Sequence, residues 1–188
     1  KVIAEIIKWD DHKRSPFAKV LKILGKPGEN DAEMLAFAFE RGFFDEHSEE
    51  VKKEAEAIHK KGIKEEDKII NENGIDGRRD FRDILTFTID PVDAKDFDDA
   101  ISFQSLENGN IEIGVHIADV SHYVQPGTAV DQEAYDRATS VYLPDRVYPM
   151  LPEKISNELC SLRPHEEKLS FSACFELDAS RKVVNTWY

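Results

Sequence analysis

The chain has 188 residues, 40% of them hydrophobic, and a formal net charge of -13. This length allows one ordinary domain, or one domain joined to part of another. No apolar run approaches the ~20 residues of a membrane span, and no secretory signal opens the chain, so a cytoplasmic protein is expected. The first residue is Lys1 rather than Met, which indicates a segment of a longer protein.

The two cysteines, Cys160 and Cys174, do not have the spacing of metal ligands. In a chain without a signal peptide they are expected to be buried thiols in a reducing compartment.

Charge is spread unevenly along the chain. Residues 1–28 carry seven Lys and Arg against three Asp and Glu, whereas residues 81–188 carry nine against nineteen. A basic start followed by an acidic body suits a nucleic-acid-binding edge joined to a metal site. The alternative is that the basic start is ordinary protein surface.

The first predicted elements are two strands, at 1–9 and 16–25, joined by a polar turn. Two strands cannot close a barrel or form a domain alone. They are predicted to be the last strands of a barrel.

Helical patterns follow the strands. Asn30 and Glu33 form a capping pattern for a helix that stops at Gly42, and Ser48 opens a second helix that ends at Gly62. In the second helix, two i,i+4 ion pairs are expected, namely Glu49–Lys53 and Glu56–Lys60. The charged stretch 64–83 is predicted to be a connector.

From residue 84 onward the pattern is that of an α/β mixture. A β run at 84–89 ends at Asp90, and strands at 100–106 and 111–120 flank a turn and predict a hairpin. Thr128 and Asp131 predict a capped helix at 129–139. An extended stretch at 141–143, a short helix near 153–160 and a second hairpin, with strands at 169–178 and 182–188, complete the predicted α+β fold.

Five aspartates fall within ten residues, in the run TIDPVDAKDFDDA. They are Asp90, Asp93, Asp96, Asp98 and Asp99. Carboxylates this close together repel each other unless a cation compensates them, and hard divalent cations prefer oxygen ligands. The run therefore indicates Mg²⁺ chemistry, and paired ions of this kind hold the attacking water and the leaving oxygen in phosphoryl transfer.

Two alternatives compete for the aspartate run. A calcium-binding EF-hand loop that starts at Asp96 would place Glu107 at its twelfth position, but Ala100 stands at the fifth and Ile101 at the position that requires glycine. That alternative is rejected. A solvated acidic loop without function stays open, although Phe97 within the run and β-rich segments on both sides speak against it.

Two further groups of residues are candidates for a site. His116, Asp119 and His122 could bind zinc, but a hydrogen-bonded Asp119 that shapes the loop, with partly buried histidines, is favoured. Tyr142 lies beside a proline-rich loop and could stack on a nucleic-acid base, although such a residue, taken alone, is more often part of the core.

The stretch from TIDPVDAKDFDDAISF through GVHIADVSHYV to SVYLPDRVYPMLPEKISNELCSLRP resembles the catalytic RNB domain of the RNase R / RNase II family. The resemblance covers about residues 80–188 and is closest to the bacterial RNase R branch. Residues 1–28 are similar to the closing strands of the cold-shock (OB-type) domain that precedes it. The resemblance implies three parts: residues 1–28 from the cold-shock domain, a helical linker at 29–79, and the N-terminal portion of an RNB domain with a mixed sheet at 80–188.

The resemblance also implies roles for individual residues. Asp90 and Asp99 would be metal ligands and Asp96 a supporting ligand, while Asp98 would be the carboxylate most needed for hydrolysis, through the second metal and the attacking water. Tyr142 would pack against the 3′ end of RNA, and Asp93 is left as a neighbour. The family's active-site arginine, a further acidic residue and the C-terminal RNA-binding domain would lie in segments outside these residues.

The implied function is processive 3′→5′ hydrolysis of single-stranded RNA to 5′-mononucleotides, with Mg²⁺ as cofactor and Mn²⁺ as a substitute. No membrane partner is expected, and the remaining RNB segments would be needed for activity. The alternatives are a non-catalytic RNA-binding or regulatory module with the same fold, and an acidic scaffold that binds no metal.

Overall fold

The computed structural model describes residues 1–10, 13–43, 46–64, 67 and 78–188. Most of the predicted connector at 64–83 therefore lies outside the described residues. The elements, in chain order, are β1 (Val2–Lys8), β2 (Phe17–Ile23), α1 (Asn30–Glu40), α2 (Glu49–Lys61), β3 (Leu85–Phe87), β4 (Asp99–Ser105), β5 (Ile111–Ala118), α3 (Val120–Tyr123), α4 (Ala129–Arg137), β6 (Val141–Tyr142), β7 (Val147–Tyr148), a π-helix (Lys154–Leu159), β8 (Ser170–Leu177) and β9 (Val183–Trp187).

The chain divides into two compact units. One consists of residues 1–47 and 141–148, and the other of residues 48–140 and 149–188. Within the described ranges, no helix has both the length and the apolar character required to cross a membrane.

The first unit contains β1 and β2 as an antiparallel pair, with irregular register after Ile3 and after Ile6. Large apolar side chains are exposed along both strands, including Ile7 and Phe17. A pair of strands with so many exposed apolar residues does not form an independent core.

Helix α1 does not begin in the way that the sequence predicts. The N-cap position is Glu29, with no side-chain capping bond, and Asn30 instead donates from Nδ2 to Asp145 Oδ2 at 2.8 Å. Glu33 accepts from the Gly28 amide at 2.8 Å and pairs with Lys1. The Asn30 cap is therefore wrong, because that side chain is engaged with the turn between β6 and β7.

Helix α2 begins and ends as predicted. Ser48 is its N-cap and accepts from the Val51 amide, and Gly62 ends it with a positive φ of 55°. The Glu56–Lys60 ion pair forms at 3.5 Å, but Glu49 pairs with Lys52, three residues away, rather than with Lys53.

The second unit is built on one five-stranded sheet, in the order β3-β4-β5-β8-β9. The α+β class predicted from the sequence is confirmed. Every pairing between the described strands is antiparallel, where a mixed sheet was predicted. Two of the four pairings, β4 with β5 and β8 with β9, join strands linked by short turns, which only an antiparallel arrangement permits. Strands β3 and β4 are linked by a longer loop, and β5 and β8 are joined through the helices.

The hydrophobic core of this unit lies between helices and one end of the sheet. Ile155 on the π-helix is fully buried, and α2 contributes Val51 and Ala55, each at most 2% exposed. The remaining buried members of this core are Ala118, Tyr123, Val130, Leu151, Cys160 and Leu169.

The two faces of the sheet differ sharply. The covered face carries small or polar residues, among them Ser102, His116, Ser172 and Cys174, all at most 7% exposed. The opposite face carries large apolar residues that are more than a third exposed, and the strand register places them side by side. They are Leu85, Phe87, Phe103, Val115, Ile117 and Phe171. An exposed apolar patch of this kind is typical of a surface that takes part in an interaction.

Candidate metal centre

The aspartate run forms the loop between β3 and β4. Asp90 follows β3 after a short extended stretch, and Asp99 is the first residue of β4, where it lies opposite Ile117 of β5. The Ala94 amide donates to the Pro91 carbonyl at 3.0 Å and closes the turn at the tip of the loop. The predicted arrangement, a carboxylate-rich loop between two strands, is the one observed.

Backbone hydrogen bonds fix the second half of this loop. The Phe97 carbonyl accepts from the Leu162 amide at 2.8 Å, and the Asp98 carbonyl accepts from the Ala118 amide at 3.0 Å. The Ser161 hydroxyl accepts from the Phe97 amide at 3.1 Å and donates to the Lys95 carbonyl at 2.9 Å. The positions of Asp96 and Asp98 are therefore set by segments far away in the sequence.

Four carboxylates of the loop lie close enough for their charges to interact. Partial burial raises the pKa of Asp98 above its ordinary value, and the negative charges of Asp96, Asp99 and Asp90 raise it further. Asp98 still has access to solvent, as do Asp90 and Asp99, while Asp96 is half-buried. Asp93, exposed on the turn, is not among these three charges.

These four carboxylates suit a hard divalent cation in their donor chemistry, because each supplies oxygen ligands and their mutual repulsion falls when a cation binds. Across the described ranges, no three His, Cys, Asp or Glu side chains are already arranged around a single point at metal-binding distance. The residues fit a magnesium-type site in their donor chemistry.

In the second candidate cluster, which consists of His116, Asp119 and His122, the carboxylate of Asp119 makes hydrogen bonds that stabilise the fold. Asp119 caps α3 by accepting from the His122 amide at 3.2 Å, and it also accepts from Ser121 Oγ at 3.0 Å and from Arg78 Nη2 at 2.7 Å. The favoured interpretation, a hydrogen-bonded Asp119 that shapes the loop, is confirmed.

His116 is buried in the covered face of the sheet. Its Nδ1 lies 2.8 Å from Ser172 Oγ and its Nε2 lies 2.8 Å from Ser102 Oγ. Burial lowers the pKa of the imidazole, which favours the neutral ring. A Cβ added at Gly114 would lie 2.4 Å from Ser102 Oγ and 2.6 Å from His116 Nε2, so only glycine leaves room for this Ser–His–Ser arrangement.

The cysteines are buried, as predicted from their spacing and compartment. Burial raises the pKa of Cys160 to about 12 and that of Cys174 to about 11. Thiols with such pKa values stay protonated at neutral pH and are poor nucleophiles.

Tyr142 lies on β6, in the first compact unit, whereas the aspartates lie in the second. Its side chain is 62% exposed. The core alternative for Tyr142 is therefore wrong, because strand β6 pairs only with β7 among the described strands and leaves the ring accessible.

Sequence reasoning missed Ser161, whose contact with the loop spans 64 residues. No local pattern signals such a contact, since an isolated serine after a helix is usually a capping or turn residue.

Comparison with known proteins gives consistent matches along the chain. A family model described as RNB domain matches residues 78–188, and one described as cold shock domain matches residues 1–48. Ribonuclease R of Thermotoga maritima is 46% identical over 186 residues, which cover 98% of this chain and 25% of that protein. The chain thus spans about a quarter of the length of this relative.

Solved structures give the same match in three dimensions. The structure described as Mycoplasma genitalium RNase R in complex with ribose methylated single-stranded RNA has a TM-score of 0.84 at 28% identity, over 99% of this chain and 28% of that one. Yeast Ssd1, described as a pseudonuclease, has a TM-score of 0.63 at 22% identity, over 98% of this chain and 22% of that one. The likeness to Ssd1 is one of fold alone.

Proposed function

The chain belongs to the RNB-domain family of RNase R and RNase II, and from this premise we propose that it is part of a processive, metal-dependent 3′→5′ exoribonuclease. The intact enzyme would degrade single-stranded RNA to 5′-mononucleotides. The observation that carries the proposal is the grouping of four carboxylates on one anchored loop, where partial burial and the charges of the other three raise the pKa of Asp98.

Each aspartate has a proposed role. Asp90 and Asp99 would bind the metal from the two ends of the loop, and Asp96 would support them as a further ligand. Asp98 would be both a ligand and the carboxylate on which hydrolysis most depends, a role supported by the charges of Asp96, Asp99 and Asp90 that act on it. Asp93 has no proposed role.

The proposed cofactor is Mg²⁺, for which Mn²⁺ can substitute. When bound, it would lower the pKa of a water molecule and neutralise charge that develops on the phosphoryl oxygens. The loop residues would hold the carboxylates in place for this. Hydrogen bonds to the backbone of Phe97 and Asp98 hold the loop segment that carries Asp96 and Asp98 in place.

The proposed substrate contact is Tyr142. An exposed aromatic ring can stack on any base, which gives affinity without sequence preference. Selectivity for RNA over DNA would come from contacts with the 2′-hydroxyl. The basic residues of the first 28 positions would add sequence-independent attraction to phosphate.

We propose the same division of the chain as the sequence predicts, with residues 1–28 closing a cold-shock domain, residues 29–79 linking it, and residues 80–188 beginning the RNB domain. The open apolar face of the sheet supports a need for further RNB segments, because large exposed side chains such as Phe171 require cover. A cytoplasmic enzyme is proposed from its likeness to bacterial ribonuclease R.

The decisive experiment is the substitution Asp98→Asn in the complete enzyme, with Asp93→Asn as the matched control. Asn has the same shape as Asp but lacks its charge. We expect release of mononucleotides from a labelled single-stranded RNA to fall by about 10³-fold or more in Asp98→Asn, while RNA affinity changes little. Asp93→Asn should behave like the wild type.

Turnover of Asp98→Asn near the wild-type rate would overturn the assignment. If the unaltered complete enzyme binds RNA but releases no nucleotide with Mg²⁺ or Mn²⁺, the non-catalytic RNA-binding module is the correct function. This measurement on the unaltered enzyme is necessary because a pseudonuclease has the same fold.

A further inference from the structure

We infer that Ser161 is the positioning residue of the aspartate loop, and that its hydroxyl sets the direction in which Asp96 and Asp98 present their carboxylates. The inference rests on the proposed metal-dependent function of that loop. It concerns a residue that follows the π-helix and lies more than sixty positions away from the aspartates in the sequence.

The hydroxyl of Ser161 is committed entirely to the loop. Ser161 is 0% exposed, and a polar group buried this deeply needs partners for its hydrogen-bonding capacity. Its Oγ donates to the Lys95 carbonyl at 2.9 Å and accepts from the Phe97 amide at 3.1 Å. These two backbone groups stand immediately before and after Asp96, so one side chain brackets that residue.

The backbone of the next residue, Leu162, also binds the loop. The Leu162 amide donates to the Phe97 carbonyl at 2.8 Å. The Phe97 amide and the Phe97 carbonyl are therefore both hydrogen-bonded, the first to Ser161 and the second to Leu162. On the other side, the Ala118 amide at the end of β5 holds the Asp98 carbonyl at 3.0 Å. The stretch 95–98 is thus fixed from two directions.

Ser161 is itself held by the core. The preceding residue, Cys160, is 2% exposed and donates its amide to the carbonyl of Ile155, which is fully buried in the π-helix. The Arg163 amide donates to the Ser161 carbonyl at 2.8 Å. Because Ile155 and Cys160 belong to the hydrophobic core, Ser161 transmits the rigidity of the core to an otherwise solvent-facing loop.

Position matters here because of the chemistry proposed for the loop. Mg²⁺ requires near-ideal octahedral geometry, and a displacement of about 1 Å in a reacting group can lower a rate by about 100-fold. Without the hydroxyl, the Phe97 amide and the Lys95 carbonyl would lose this partner at a part-buried position, and the loop would shift to satisfy them. The carboxylates of Asp96 and Asp98 would move with it.

The test compares Ser161→Ala with Ser172→Ala in the complete enzyme. Ser172 is the matched control, because it is a buried serine of the same unit whose hydroxyl contacts His116 rather than the loop. We expect Ser161→Ala to raise the Mn²⁺ concentration for half-maximal activity by about tenfold and to lower kcat by about 10–100-fold, with KM for single-stranded oligoadenylate changed less than about twofold. Ser172→Ala should leave all three unchanged.

A second readout does not depend on turnover. Mn²⁺ binding measured by electron paramagnetic resonance, with RNA absent, should weaken by about tenfold in Ser161→Ala and recover in Ser161→Thr, which restores a hydroxyl. If Ser161→Ala does not fold, judged by circular dichroism and its urea midpoint, Ser161→Cys is measured instead, since a thiol keeps the volume but bonds weakly.

The outcomes separate the two proposals. If Ser161→Ala, or Ser161→Cys in its place, keeps wild-type Mn²⁺ affinity and kcat while Asp98→Asn is inactive, the positioning role is wrong and the proposed function stands. If Asp98→Asn is active, the proposed function itself is wrong. Loss of Mn²⁺ affinity in Ser161→Ala and Ser172→Ala alike would also overturn the inference, because it would show a general effect of removing a buried hydroxyl.

Discussion

Arg79 holds the carboxylate of Glu112 with both terminal nitrogens, at 2.9 Å from Nη1 to Oε2 and 2.7 Å from Nη2 to Oε1. Gln104 Nε2 donates to the same Oε1 at 2.7 Å. The Arg79 guanidinium also lies 4.8 Å from the centre of the Phe81 ring. This arrangement ties the segment before β3 to the middle of the sheet.

The first prediction concerns the stability that this pair provides. Burial alone would raise the pKa of Glu112, but the hydrogen bonds from Arg79 and Gln104 outweigh it and leave the pKa below its ordinary value. Glu112→Gln should therefore lower the free energy of unfolding by about 2 kcal/mol at pH 7. Urea denaturation measures this, with the exposed Glu107→Gln as control.

The pH dependence of this effect has a definite sign. Because the folded-state pKa of Glu112 lies below the unfolded value of about 4.3, the stabilisation is fully present above that value and is lost as pH falls through the folded pKa. The difference in stability between the wild type and Glu112→Gln should thus be constant above about pH 5.5 and shrink below about pH 4. A difference that grows on acidification would contradict the assigned ion pair.

The second prediction concerns the open apolar face of the sheet. Ile117 and Phe171 lie opposite each other on β5 and β8 and are 46% and 66% exposed. In the 188-residue chain, Ile117→Lys combined with Phe171→Glu should reduce binding of a hydrophobic dye and self-association. The free energy of unfolding should change by less than about 1 kcal/mol, since opposite charges pair across strands.

The same double change should destabilise the complete enzyme, where this face is expected to be covered, because it would bury charge. Tyr135→Lys on α4 is the control, since Tyr135 is 81% exposed outside the sheet and should behave alike in both contexts. Equal tolerance of the double change in both proteins would show that nothing covers the face.

The third prediction concerns Tyr142. Tyr142→Ala in the complete enzyme should weaken binding of single-stranded RNA by about 5–150-fold, which corresponds to the loss of about 1–3 kcal/mol for one stacked base. Tyr142→Phe should bind like the wild type, because stacking requires the ring and not the hydroxyl. Fluorescence anisotropy with a labelled oligonucleotide gives the affinities.

Tyr135→Ala supplies the comparison for Tyr142→Ala, as it removes a similarly exposed tyrosine from helix α4. It should leave the affinity as it is. Equal losses in both variants would mean that Tyr142 has no particular part in holding RNA.

The fourth prediction concerns metal and stability. A cation that binds the folded state with ligand at ten times its dissociation constant adds about 1.4 kcal/mol, which for a chain of this size raises Tm by about 3–5 °C. Millimolar Mg²⁺ or Mn²⁺ should therefore raise the Tm of the 188-residue chain relative to EDTA. In Asp98→Asn the Tm in EDTA should be higher, because one repelling charge is gone, and the increase with metal should be small.

Asp93→Asn should keep the full increase with metal, since Asp93 is not among the charges that act on Asp98. Differential scanning fluorimetry in the two buffers is sufficient. A Tm that is the same with millimolar cation as with EDTA would show that the carboxylates of this chain do not form a metal site.

Much of the fold could be predicted from local patterns. The hairpins and the helices capped by Ser48 and Thr128 follow from turn residues and caps that act within a few positions. The pairing of β5 with β8 could not, because it joins residues that helices separate in the sequence. The apolar periodicity of β4 and β5 also did not predict which face is covered, namely that the large side chains face outward and the small, polar ones inward.

The candidate site divides in the same way. The composition of the loop indicates oxygen ligands, but it does not show which aspartates act on each other. The distinction between Asp93 and the other four came from the resemblance to a known family. Contacts such as those of Ser161 with Lys95 and Phe97 arise only when the chain has folded back on itself, so they lie beyond pattern analysis.

The dependence of the aspartate loop on Ser161 and Leu162 has a consequence for synthesis. Translation delivers residues 90–99 well before residue 161, and domains generally fold as their segments emerge. A nascent chain that ends before Ser161 carries all five aspartates on a loop that lacks these anchors. The ribosome therefore produces the carboxylates early and the residues that anchor their loop late.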